Sequence, residues 1–147
     1  MNMSRLALAA VVAFVVDQIY GFLVWGTLLM PEFERYPAVF RSKDGVMANL
    51  PLMMVGGLLA MFALAYVYAK GYEGGHGVNE GLRFGCVFGT FMVGSIAVGN
   101  YAVLNVGRKL AVESAMAAFV EALMVGVILG AIYKSAAQPG TRQATAV

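Results

Sequence analysis

The sequence predicts an all-α, polytopic membrane protein built as an antiparallel four-helix transmembrane bundle. Three observations predict it. The 147-residue chain is 61% hydrophobic and only 12% charged, whereas soluble domains carry about 25% charged residues. Its mean hydropathy is +0.77. Its apolar residues gather into four runs, about Leu6–Met30, Leu50–Ala69, Phe84–Val106 and Val112–Tyr133, each close to the roughly 20 residues that a spanning helix needs. A helix satisfies its own backbone hydrogen bonds inside hydrocarbon, so each run is read as helical.

The first run follows Met-Asn-Met-Ser-Arg. It is longer than the roughly 7–15 apolar residues of a signal sequence and is read as a retained span. The connection Pro31–Asn49 comes next. Phe33, Tyr36 and Phe40 in it have helix-like spacing, which predicts a short helix lying at the membrane surface and a docking face for a partner. The second run ends in Tyr66, Tyr68 and Tyr72, with Tyr133 on the same side and Trp25 near the opposite surface. That placement reads as interfacial aromatic belts.

The connection Lys70–Arg83 is rich in glycine and is read as a solvated turn. It lacks the Gly-Lys-Ser/Thr ending of a phosphate loop. Glu73, His76 and Glu80 within it could make a surface metal site, but one histidine with two flexible acids is a weak set and the solvated turn is the preferred reading. Gly107–Ala111 is a tight turn, which makes the third and fourth helices antiparallel neighbours. Residues 1–134 form one transmembrane domain, and 135–147 read as a polar, flexible tail.

Composition excludes several function classes. A net charge of +2 without a basic stripe argues against nucleic acid. The single cysteine, Cys86, cannot form an intrachain disulfide or act as a thiol pair. No cofactor is expected. No nucleophile–base pair or clustered metal-ligand set is present, which disfavours an enzyme.

The most informative residues are Asp17 and Glu121. Each lies near the middle of an apolar run, and no Lys or Arg lies at that depth. An unpaired carboxylate in hydrocarbon costs several kcal/mol or more, so such groups are neutralised, paired or wet. The first and last helices of an up-down bundle are neighbours, so the two carboxyls can meet. Gln18, Tyr20, Asn100 and Tyr101 are the polar side chains expected around them. The site reads either as a place that holds a proton or small solute, or as polar glue between helices.

A second pattern concerns packing. Ala118, Ala122, Gly126 and Gly130 are spaced by four, and Gly85 and Gly89 share that spacing on the third helix. Small residues at this interval let helix backbones approach closely.

Three stretches carry a resemblance: Tyr20-Gly-Phe-Leu-Val-Trp-Gly-Thr-Leu-Leu, Glu80-Gly-Leu-Arg-Phe-Gly and Gly130-Ala-Ile-Tyr-Lys. In these the chain resembles uncharacterised bacterial four-helix inner-membrane proteins of unknown function. The resemblance implies a four-helix bundle in the inner (cytoplasmic) membrane and brings no activity or substrate. Sidedness is weakly marked. Arg5, Lys70, Arg83, Lys134 and Arg142 would share one side, and Arg35, Arg41, Lys43, Arg108 and Lys109 the other. Arg5 directly precedes the first span, which places the termini in the cytoplasm.

Two functions follow as expectations. In the first, the bundle or its homo-oligomer binds or moves a proton or small solute through Asp17 and Glu121. In the second, the protein is an accessory subunit of a larger membrane complex. The lipid bilayer is the expected partner in both.

Overall fold

The computed structural model describes residues 2–133, and every described element is helical. Four helices are long and apolar enough to cross a membrane: α1 (Met3–Leu28), α4 (Leu50–Gly71), α5 (Gly77–Val103) and α6 (Arg108–Ile132). Two short helices, α2 (Met30–Phe33) and α3 (Lys43–Ala48), lie between α1 and α4. The expected tail, 135–147, lies outside the described residues.

The packing order differs from the chain order. α4 packs on α1, α1 on α6, and α6 on α5. The reason is visible along α1, where Ala9, Ala10 and Ala13 are completely buried. A run of single methyl groups gives two neighbouring helices a smooth surface to approach. Leu6, Met61, Ala65, Val125 and Leu129 close around it. The outward faces remain apolar and exposed, with Leu52, Val55 and Leu59 on α4 as examples. Exposed surface of that extent is abnormal for a protein in water and ordinary for one in lipid.

A very close backbone contact joins α5 to α6. A Cβ added at Gly77 would strike the carbonyl oxygen of Gly130, and one at Gly81 would strike that of Gly126. At Gly85 it would stand 2.8 Å from the Ala122 carbonyl oxygen, and at Gly89 2.7 Å from the Phe119 ring. These pairs run in opposite senses along the two helices. The backbones therefore touch from Gly77 to Gly85, over more than two turns, a spacing that favours weak Cα–H···O contacts.

This contact corrects the expected boundary of the third span. α5 begins at Gly77, about two turns before Phe84, because Gly77 and Gly81 extend the four-residue spacing of Gly85 and Gly89. Glycine is a poor helix former alone; packing against α6 supplies the stabilisation. The turn thus shrinks to residues 72–76. Gly74 there adopts a left-handed conformation (φ 89°), and the Glu80 carboxylate accepts the Glu73 and Gly75 amides. Likewise α6 starts at Arg108, one turn before Val112.

The tyrosines at this end form an internal cluster rather than a belt. Tyr68 and Tyr133 are buried, with ring centroids 6.1 Å apart edge to face. Tyr66 remains outside, beneath the Lys70 ammonium.

Both α1 and α5 depart from α-helical winding near one end. Gly21–Leu28 and Val93–Val98 are π-helical, with hydrogen bonds to the fifth residue back, such as Leu29 N to Val24 O at 2.8 Å. The wider turns rotate everything beyond them relative to a straight α-helix. Their effect is felt at the site.

Candidate functional site: an acid pair beside an aromatic cavity

Asp17 is buried, with 8% of its surface exposed, and it is the one buried charged residue among those described. It projects from α1 toward α6, and its carboxyl lies within side-chain hydrogen-bonding reach of the Glu121 carboxyl. The Asp17 Oδ2 accepts a 3.3 Å contact from Gln18 Nε2. The Asp17 Oδ1 is buried, and no N–H or O–H donor reaches it. Glu121 is half-buried, and its Oε2 accepts the Trp25 indole N–H at 2.9 Å. No lysine, arginine or histidine pairs with either acid among the described residues.

Two adjacent carboxylates without a cation repel each other and lack solvent to spread their charge. A proton on either one converts that repulsion into a hydrogen bond. The arrangement is thus suited to a shared proton.

Glu121 also borders a cavity of about 320 Å³. One wall is a single face of α6, formed by Leu110, Ala111, Ser114, Ala118 and Glu121. Their helical spacing gives a groove about 16 Å long at 1.5 Å per residue. The opposite wall is α5, where Met92, Ile96, Ala97, Asn100 and Tyr101 share a face, with Leu104 just beyond its end. Trp25, Phe33 and Phe40 cover the gap. The close glycine contact on α5 ends at Gly89, and beyond it the larger Met92 and Ile96 line the cavity.

The cover is fixed at two places. The Tyr36 hydroxyl accepts the Gly107 amide at 3.0 Å, and Lys109 donates to Glu32. Phe33 and Phe40 pack edge to face at 4.8 Å. The short surface helix expected through Phe33, Tyr36 and Phe40 does not form. Tyr36 precedes Pro37 and leaves helical geometry there, as the proline ring demands. The segment instead folds back, turning its aromatic rings onto the cavity. The Lys109 hydrogen bond holds the Glu32 carboxyl below the usual glutamate range, aided by Arg35 and opposed by desolvation.

Not all the expected polar residues converge. Gln18 touches Asp17 and packs toward Gly57 of α4. Tyr20 donates its hydroxyl to the Ala117 carbonyl at 2.8 Å, tying α1 to α6. Asn100 and Tyr101 line the cavity with Glu121, whereas Asp17 is not among the lining residues. Among the packing residues, Gly85, Gly89, Ala122, Gly126 and Gly130 form the close contact, while Ala118 lines the cavity instead.

Trp25, Phe33, Phe40 and Ser114 were not expected at the site. Trp25 is eight residues beyond Asp17. In an unbroken α-helix it would sit about 80° round from Asp17. The π-helical turns beginning at Gly21 bring it back toward the same face. Ser114 could have been found by counting back seven residues from Glu121, two turns along one face.

No protein-family model matches the chain, and neither does any curated protein or solved structure.

Proposed function

We propose that this protein is an antiparallel four-helix bundle of the inner membrane, its termini in the cytoplasm, whose Asp17–Glu121 pair binds and releases a proton. The observation that carries this reading is the buried Asp17 Oδ1. It has no donor, and the neighbouring group within reach is another acid. Intramembrane acids held together without a cation belong more often to proton or ion pathways than to structure alone. The Trp25 N–H orients the Glu121 carboxyl toward α1 and leaves it bordering the cavity. A proton held by the pair thus has a second compartment beside it.

The test is proton flux into vesicles reconstituted with the protein, driven by a potassium diffusion potential and read by a trapped pH dye. Asp17→Asn and Glu121→Gln keep the size and much of the hydrogen bonding of each side chain. Both are expected to reduce flux to the level of protein-free vesicles while the proteins still elute as folded species. Unchanged flux in both variants overturns the reading. So does isolation from native membranes in a fixed-ratio complex that alone carries the flux.

A further inference from the structure

We propose that the cavity beside Glu121 binds a lipophilic organic cation, with its positive centre against the Glu121 carboxylate and its apolar body between α5 and α6. This rests on the Asp17–Glu121 pair being a functional site and names what that site takes besides a proton.

Three features of the cavity point to this chemistry. First, its charge is one-sided. Glu121 is the sole carboxylic acid on the wall, and the lining contains no lysine, arginine or histidine. A carboxylate there attracts a cation and repels an anionic ligand. Second, the cover is aromatic. Trp25, Phe33 and Phe40 stand on the same side, with Trp25 and Phe33 centroids 6.3 Å apart. Ring faces attract a desolvated cation, tryptophan most strongly. They do little for a strongly hydrated metal ion, which demands oxygen ligands. Third, the rest of the groove is hydrocarbon over most of its length, with Asn100 and Ser114 as minor polar points. A volume of about 320 Å³ lies at the lower end of ligand sites, which run from about 300 Å³ upward.

The cation and the proton then compete for one carboxyl. The titratable groups facing Glu121 are Asp17 and Tyr20 from α1, and Tyr101 across the cavity from α5. On its own helix, Glu113 stands two turns away and pairs with Lys109 at 3.7 Å. None of these supplies a positive charge at Glu121. Binding the cation expels a proton from the pair, and protonation expels the cation.

The chain contains one tryptophan, and it lines the cavity, so its fluorescence reports occupancy directly. The experiment titrates the purified protein in detergent with benzyltrimethylammonium and, separately, with neopentylbenzene, its neutral isostere. Expected is a saturable change in Trp25 emission with the cation. It weakens at least about tenfold in Glu121→Gln and on acidification, and it is absent with the neutral compound. Ala118→Phe, which fills the groove, abolishes the change without touching the acid. The proposal is overturned if the cation gives no saturable change, if Glu121→Gln binds it equally well, or if the neutral isostere binds as tightly. That last outcome would make the cavity a seat for a hydrocarbon chain. Acid-dependent flux without cation binding overturns this inference and leaves the proton site standing. Cation binding without flux does the reverse.

Discussion

Trp25 and Glu121, on different spanning helices, are joined by an indole N–H to carboxyl hydrogen bond of 2.9 Å. Hydrogen bonds between membrane helices are worth about 0.6 kcal/mol on average and at most about 1.7. A double-mutant cycle with Trp25→Phe and Glu121→Gln is expected to return a coupling in that range, measured by reversible unfolding in mixed detergent. A coupling near zero would mean that the bond does not hold the acid in place.

The glycine contact between α5 and α6 gives a sharper prediction. Gly81→Ala places a methyl group into the backbone of Gly126, which cannot yield as a side chain would. The cost is expected to reach or exceed the roughly 1–3 kcal/mol typical of overpacking. Gly56 on α4 meets nothing within 4 Å of an added Cβ. Gly56→Ala should be neutral or stabilise by up to about 1 kcal/mol, from helix propensity alone. Comparing the two unfolding midpoints tests the contact against a matched substitution.

Acid should loosen the cover of the cavity. The Lys109 hydrogen bond lowers the Glu32 carboxyl below its ordinary value. A group depressed in the folded state contributes stability above its unfolded pKa and loses it as pH falls through the folded one. Below about pH 4, the ordinary glutamate range, the protection of backbone amides in residues 30–40, measured against their intrinsic exchange rates, is expected to fall. Glu32→Gln should show that low protection at neutral pH and no further loss in acid.

Tyr36→Phe removes the acceptor of the Gly107 amide, the second fastening of the same segment. An unsatisfied amide costs about 1–3 kcal/mol if it stays buried and less if water reaches it. The expected result is faster exchange at Gly107 with the overall unfolding midpoint little changed. An unmoved Gly107 exchange rate would show that another acceptor takes over.

Much of the fold was legible because bilayer spans follow from composition. The runs at Leu50 and Val112 became helices within a turn of the expected bounds. The stripe through Ala122, Gly126 and Gly130 was legible because period four is a local property of one helix. Gly77 and Gly81 were not, since their helical state depends on a partner helix and their composition reads as a turn. The proximity of Asp17 and Glu121 followed from depth and neighbouring positions. The role of Trp25 did not, because the π-helical turns after Gly21 change the angle at which later side chains leave α1. Phe33 and Phe40 were legible as a spaced aromatic pair, yet Pro37 redirects them from the lipid surface to the cavity.

The contact between α5 and α6 holds at one end and opens at the other, which makes the pair a lever. Gly81 and Gly126 act as the fulcrum, and Ala111 lies fifteen residues from Gly126, about 22 Å along the axis. A small change in crossing angle at the glycines is multiplied over that arm into a change in the width of the cavity. Residues outside the cavity, Gly77 and Gly130 among them, therefore bear on its width.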